Sequence, residues 1–404
     1  MLDRKSDWSV WLIYALFLAL ALHSECWLAI VTGHPAGADF QIYYDAYTRA
    51  KAGDNPYLPY DIGSSFIYHP FALTLISCFS PAGRAILPVW TAASAAAWGL
   101  SISLALRLVR LRGYACSQGW LEALTVLIFW TFAPAWETLH IGQVNAFVVL
   151  LLCLCLYACE RRKDLVAGLL LGLASVLKTS PLVFVLYFLV LRRWKAVAST
   201  LGTVLFCSII PAFQFYPQIV GDFLSILPRL ASEIHPTSYN QSILSILCRA
   251  LPGRLEVDSP FLSGYRRFAL GTTAALLTTG LWIPPEAYNL RLWLFVSLLT
   301  MMLLSQPLVW YHHSTLFLLP LVSLLNQRSR RRSLAGLASV ILIQTERLFE
   351  HLITPVAFPV ALAQVVVAAV VVTTYLREWF KAWWRMGQDK VAREIDGKHI
   401  SNER

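Results

Sequence analysis

The sequence predicts an all-α polytopic membrane protein. Three observations predict it. Of 404 residues, 57% are hydrophobic and 14% are charged, whereas a soluble domain carries about 25% charged residues. Mean hydropathy is +0.58, and apolar runs recur at lengths suited to crossing roughly 30 Å of hydrocarbon. The basic residues that give the chain its net charge of +10 sit in short clusters between those runs.

The clusters are "RLVRLR" (107–112), "ERRKD" (160–164), "RRWK" (192–195), "RSRRR" (328–332) and the tail from Arg377. They form no single surface, so nucleic-acid binding is not expected. They follow the positive-inside pattern and mark cytoplasmic loops. The eight cysteines are scattered, mostly inside apolar runs. "CLCLYAC" (153–159) has neither zinc nor disulfide spacing and reads as packing.

The first apolar stretch, about Trp8 to Val31, is too long for a signal-peptide core and has no A-x-A-like cleavage site, so it reads as a retained first helix. Further spans are expected at about 84–107, 118–135, 145–159, 164–177, 181–192, 196–213, 268–284, 290–305, 313–326, 334–350 and 356–376. That makes about twelve, with both termini cytoplasmic. The two segments flanking "LKTSP" (177–181) are too short to cross at about 20 residues each, and read as half-helices meeting inside protein. "FIYHPFALTLISCFS" (66–80) is expected not to span, because a crossing there would break the parity of "RLVRLR". The stretch 240–267 is placed outside. No repeat and no soluble domain is visible, so residues 1–404 form one integral membrane domain. Its first non-cytoplasmic loop covers about 32–65 and its basic tail about 377–404.

On this topology the polar elements collect on the non-cytoplasmic face. In "GHPAGADFQIYYDAYTRAKAGDNPYLPYD" (33–61), Phe40, Tyr43, Tyr44 and Tyr47 follow helical spacing. Gln41, Asp45 and Arg49 take the other face. This predicts an amphipathic interfacial helix ended by Gly53, with Asp39 at its N-cap. A capping box is missing, since Ile42 holds its partner position. Asp39 is a structural cap or a functional carboxylate, and the roles are compatible. Gln143 and Asn145 of "WETLHIGQVN" (136–145) begin an apolar span, either tying helices together or lining a sugar site. Lys178 in "LKTSP" either snorkels or faces a cavity and binds an anion such as phosphate. His312 and His313 end "SQPLVWYHH" (305–313); adjacent histidines lack the spacing of a zinc site, but one could bind phosphate or protonate a leaving group. "HPTSYNQSIL" (235–244) is a turn and cap, or a polar site element. No Walker, GxGxxG, GxSxG or HExxH context occurs.

Taken together, these elements resemble the polyprenyl-phosphate-dependent glycosyltransferases of GT-C type, and most closely glycosyltransferase family 87. The ordered set carries the resemblance: "GADFQIYYDAYTRAKAGDNPYLP", "FIYHP", "IGQVN", "GLLLGLASVLKTSPLVFVLYFLVLRRWK", "YNQSI" and "SQPLVWYHH". It implies a GT-C-type helical fold in a bacterial plasma membrane, with the active site on the non-cytoplasmic face. It also implies a polyprenyl-phosphate sugar donor, with mannose favoured and arabinofuranose open, and a glycan or glycolipid hydroxyl as acceptor. Carried over residue by residue, Asp39 matches the catalytic base. Lys178, His312 and His313 match the donor-phosphate site. His140, Gln143, Asn145, Asn240 and Gln241 are expected to bind sugar or acceptor. The family's frequent Pro-Pro is "HP" here, which weakens His69 as a site residue. Asp39 is followed by Phe40 and Gln41, so there is no DxD motif and no cofactor or metal is expected. Inverting displacement is the implied chemistry. A flippase for a lipid-linked sugar is the rival reading, and an inactive scaffold a third.

Overall fold

The structure, a computed structural model, describes residues 35–61, 65–79, 85–111, 119–237, 240–250, 259–284, 287–326, 329–352 and 359–402. The described residues are helical throughout, and their one β feature is an isolated antiparallel bridge between Asn240 and Trp310. The expected span at 8–31 lies outside the described residues. In chain order the α-helices are α1 (Ala38–Ala52), α2 (Phe71–Ser77), α3 (Leu87–Arg110), α4 (Gly119–Trp130), α5 (Ala133–Ile141), α6 (Asn145–Glu160), α7 (Asp164–Leu177) and α8 (Phe184–Val190). They continue as α9 (Trp194–Gln214), α10 (Ile219–Ser232), α11 (Ile243–Ala250), α12 (Pro260–Gly280), α13 (Tyr288–Ser305), α14 (Leu318–Leu325), α15 (Arg330–Leu352) and α16 (Pro359–Asn402). Tight 3-10 turns at Ser180–Val183 and Tyr311–Phe317 lead into α8 and α14.

Each expected apolar segment within the described residues falls on a helix, but not each is a full crossing. By length and composition four described helices can cross alone: Leu87–Arg110, Trp194–Gln214, Tyr288–Ser305 and Val360–Arg385. A fifth crossing is possible if Glu122–Trp130 and Ala133–Ile141, bent by 42°, act together. Within 118–135, expected as one span, the helix breaks at Thr131–Phe132. Pro134 in the first turn of α5 cannot continue the ladder of α4. Gln344 of α15 satisfies the groups freed at the break. Its Oε1 accepts from the Ala133 amide at 2.6 Å, and its Nε2 donates to the Thr131 carbonyl at 2.8 Å.

The core is built around α13 and α14. Every residue from Leu290 to Leu304 and from Leu318 to Leu325 is buried. The outer helices expose apolar side chains such as Leu205, Phe206 and Phe213 of α9, as lipid-facing surfaces do. Between α7 and α9 the contact is backbone-close. A Cβ on Gly172 would lie 2.6 Å from Thr203 Cβ, which is why small residues recur in "GLLLG".

Helices α6 and α7 have 16 and 14 residues. Each falls short of the roughly 20 needed to cross, by about 6–9 Å of rise. They run antiparallel through the turn at Arg161–Lys163. One pair of ends, Glu160 and Asp164, is tied by ion pairs, a nearly buried one from Arg291 Nη2 to Glu160 at 2.6 Å and a half-buried one from Arg193 Nη1 to Asp164 at 2.6 Å. The other pair, Asn145 and Lys178, is drawn inward by the missing length. The fold thereby recesses two polar residues.

Three local expectations change. Asp39 is not the N-cap of α1. That position belongs to Gly37, which is left-handed (φ 72), and Asp39 lies inside the first turn. Nor is the aromatic stripe laid on a membrane surface: Phe40, Tyr43 and Tyr47 are buried in the protein core. Polar spacing on the opposite face is kept, with Gln41 donating to Asp45 at 2.5 Å and Arg49 reaching the carbonyls of Pro56 and Leu58. Finally, "WETLHI", which follows the expected span 118–135, lies within helix α5. Gly53 ends α1 in a left-handed conformation (φ 86), as the sequence predicts. Helix α2, with 7 residues, is too short to span, in line with the non-spanning reading of 66–80.

Candidate active site

Asp39 is aimed by two glycine-dependent turns. The Gly37 amide donates to the His140 carbonyl at 2.7 Å, joining the start of α1 to the end of α5. Gly142 then reverses the chain in the left-handed region (φ 77), where a Cβ would come within 2.7 Å of Phe40 Cβ. Only glycine fits that approach. Trp90 locks the turn by donating to the Gly142 carbonyl at 2.9 Å.

The next residue meets the carboxylate. Gln143 Nε2 donates to Asp39 Oδ2 in a short hydrogen bond, and also to the Tyr68 hydroxyl at 2.8 Å. Its Oε1 accepts from the Val144 amide. Both amide protons are therefore used to hold one carboxylate and one phenol. The Tyr68 pKa is raised, first by burial and then by the Asp39 charge, so it stays a neutral phenol.

Two residues further on, the chain enters the second half of the cluster. Asn145 Oδ1 accepts from Lys178 Nζ at 2.9 Å, and its Nδ2 donates to the His312 carbonyl at 3.2 Å. Lys178 thus turns inward, at a helix end where its own backbone becomes extended (φ −151, ψ 124). It lies within electrostatic reach of both Asp39 and His313. His312 Nδ1 is 3.5 Å from the Glu137 carboxylate, with both side chains buried. The His313 ring stands edge-on to His312, centroids 4.8 Å apart, and its Nδ1 accepts from the Trp310 amide at 3.3 Å. Asp39, Tyr68 and Lys178 keep partial exposure, while Glu137, Gln143, Asn145 and both histidines are buried beneath them.

The remaining sequence candidates play other parts. His140 contributes its carbonyl to the Gly37 clamp, and its ring is buried. Asn240 is a clamp on the loop before the histidines. Its Nδ2 donates to the His235 and Pro307 carbonyls, each at 2.9 Å, and its Oδ1 accepts from the Val309 and Ser242 amides. All four of its hydrogen-bonding positions are occupied by backbone. Gln241 bonds the Val309 carbonyl through its amide at 2.6 Å and accepts from Gln364 at its own carbonyl. His69 is structural as well: Nδ1 accepts from the Phe71 amide at 3.2 Å, so Nε2 carries the proton toward Ser208 Oγ at 2.9 Å.

Sequence reasoning missed Glu137 and Tyr68. Glu137 had a signal: a lone carboxylate among apolar residues needs a buried partner. Tyr68 had none, because its position depends on how the loop after α1 folds back.

The arrangement places a held carboxylate on one side of a recessed polar patch, with an ammonium and two imidazoles on the other. A carboxylate there can accept a proton, and the cationic side can carry negative charge. Comparison with known proteins gives the family of the chain. Residues 66–307 match the profile of glycosyltransferase family 87. The chain is 31% identical over 314 residues to a polyprenol-phosphate-mannose-dependent alpha-(1-2)-phosphatidylinositol pentamannoside mannosyltransferase of Mycolicibacterium smegmatis, covering 71% of this chain and 70% of that protein. A protein of the same description from Mycobacterium tuberculosis is 27% identical over 330 residues, covering 76% and 71% respectively.

Proposed function

The chain belongs to glycosyltransferase family 87 and is a hexosyltransferase by class, and from that premise we propose that it moves mannose from a polyprenyl-phosphate donor to a hydroxyl of a glycolipid or glycan. The observation that carries this reading is the pairing of Asp39, held by Gln143, with the Lys178–Asn145–His312–Glu137 chain that begins two residues further on.

The chemistry is a single inverting displacement. Asp39 takes the proton of the acceptor hydroxyl as its oxygen bonds to the anomeric carbon. The bond from that carbon to the phosphate oxygen breaks, and polyprenyl phosphate leaves with the electron pair. Lys178 and the imidazoles of His312 and His313 balance the charge growing on the phosphate. Glu137 orients His312, as a carboxylate fixes an imidazole elsewhere. Gln143 and Asn145 aim these groups from beneath, and the partly exposed Tyr68 hydroxyl is placed to meet a sugar hydroxyl. His140, Asn240 and Gln241 hold the loops that carry them. With no DxD motif, transfer is proposed to run without a metal and to survive chelators.

The proposed architecture is the GT-C type with about twelve crossings and both termini cytoplasmic. Two features support the assignment of faces. The ion-paired ends of α6, α7 and α13 share one side with the basic turns, and the polar cluster lies at their other ends. The cluster then faces the non-cytoplasmic side, where a lipid donor enters from the membrane and the acceptor from water.

Reconstitution in liposomes with labelled polyprenyl-phosphate-mannose and glycolipid acceptors tests the reading. Labelled glycolipid should form without net movement of intact donor across the bilayer. Movement of donor without product would replace it with transport, and product only from an arabinofuranosyl donor would replace the sugar.

A further inference from the structure

At the end of the molecule opposite the Asp39 cluster, a cleft of about 370 Å³ opens between α16, the start of α13 and the residue after α3. Leu111, Tyr288, Asn289, Glu378, Lys381 and Arg385 line it. Helix α13 separates the cleft from the site. Its first residues border the cleft, and its last lead into the loop of His312, 18 residues or about 27 Å away.

We propose that this cleft binds the headgroup of an anionic phospholipid. Lys381 and Arg385 are four residues apart, so both project from one stripe of α16, which Arg377 extends one turn back. Glu378 bonds Lys381 at 3.2 Å and offsets one of the two charges lining the cleft. The cleft keeps a net positive charge.

The neighbouring aromatic residues select a lipid over a soluble anion. Phe380 and Trp384 occupy the adjacent stripe of the same turns, and Trp379 and Trp383 the far face of the helix at the same level. Trp379 is anchored by its bond to the Thr279 carbonyl at 3.0 Å, and Trp383 stacks on it at 6.3 Å. Phe380, Trp383 and Trp384 are each about half exposed (54%, 48% and 55%). Exposed tryptophans beside basic residues at the end of an apolar helix mark the depth where hydrocarbon meets headgroups. A cationic cleft at that depth faces lipid phosphate, which juxtamembrane Lys and Arg attract. This inference is independent of which sugar is transferred.

The full chain, purified in mild detergent, is incubated with phosphatidylglycerol, phosphatidylcholine or inorganic phosphate, and retained adducts are counted by native mass spectrometry. Phosphatidylglycerol should be retained in preference to phosphatidylcholine. Lys381→Gln with Arg385→Gln should weaken that retention about tenfold or more. A control removing two exposed cations from other basic turns, Lys163→Gln with Lys195→Gln, should leave it near wild type. Glu378→Gln should strengthen retention, a gain that misfolding does not produce. Equal loss in both double variants, no loss in either, or no gain with Glu378→Gln would overturn the proposal. So would displacement of the lipid by millimolar inorganic phosphate, which would make the cleft a site for soluble anions.

Discussion

At Gln143 one side chain joins the two halves of the proposed chemistry. Its amide holds Asp39 and Tyr68, and the chain then delivers Asn145 to Lys178 two residues later. Replacing Lys178 by Gln keeps a donor to Asn145 but removes the charge proposed to face the phosphate. Turnover should fall about 100-fold or more in a steady-state assay, the scale seen when a preorganised donor to developing negative charge is lost. Glu137→Gln should lower turnover about 10- to 100-fold by freeing His312 to reorient, by analogy with outer groups that fix an imidazole. Donor-induced thermal stabilisation should persist in that variant. These residues differ in legibility. Asp39, Lys178 and the histidines stood out as polar groups interrupting apolar runs. The four-bond clamp of Asn240 did not, because its partners lie about 70 residues away at Pro307 and Val309.

Helix lengths and turns explain why the cluster is recessed. The break at "LKTSP" was readable because 14 apolar residues before it cannot cross a bilayer. The break at Thr131 was not, because its compensation comes from Gln344, more than 200 residues on. The aromatic stripe of α1 was legible as helical, but not that Phe40, Tyr43 and Tyr47 are covered by protein, since spacing reports a face and not what covers it. Gly142→Ala tests the turn that aims Asp39. A Cβ at φ 77 and 2.7 Å from Phe40 should cost about 2 kcal/mol or more, measured as a lower melting temperature in detergent. A second element-scale expectation concerns His69, whose pKa is lowered from 6.5 to about 4 by burial. The folded chain then binds this proton less readily than the unfolded chain. The contribution is fully present above pH 6.5 and is lost as pH falls toward 4, amounting to about 3 kcal/mol at most. His69→Asn, which keeps an acceptor for the Phe71 amide, should flatten the acid limb of a melting-temperature profile over that window.

Across the whole molecule, composition and charge clusters were enough to predict a helical membrane protein and to locate its apolar segments. They overstated what can be counted. Among the described residues, four helices, or five with the bent pair, meet the length and composition of a crossing. Helices α6 and α7 fall short because each ends at the polar cluster, at Asn145 and Lys178. The family's ordered motifs are spread along the chain from α1 to the loop before α14, and the fold brings their polar residues Asp39, Gln143, Asn145, Lys178, His312 and His313 together at one end of α6, α7 and α13. The proposed chemistry rests on that gathering, with Asp39 as its proposed base. The most direct measurement is single-turnover transfer of labelled mannose from polyprenyl phosphate by wild type and Asp39→Asn in matched liposomes. Asn keeps the size of the side chain and an oxygen to accept from Gln143. The account predicts a melting temperature near wild type, intact donor binding and a rate lowered at least about 1,000-fold. Transfer by the variant within tenfold of wild type would contradict the assignment of Asp39 as the base.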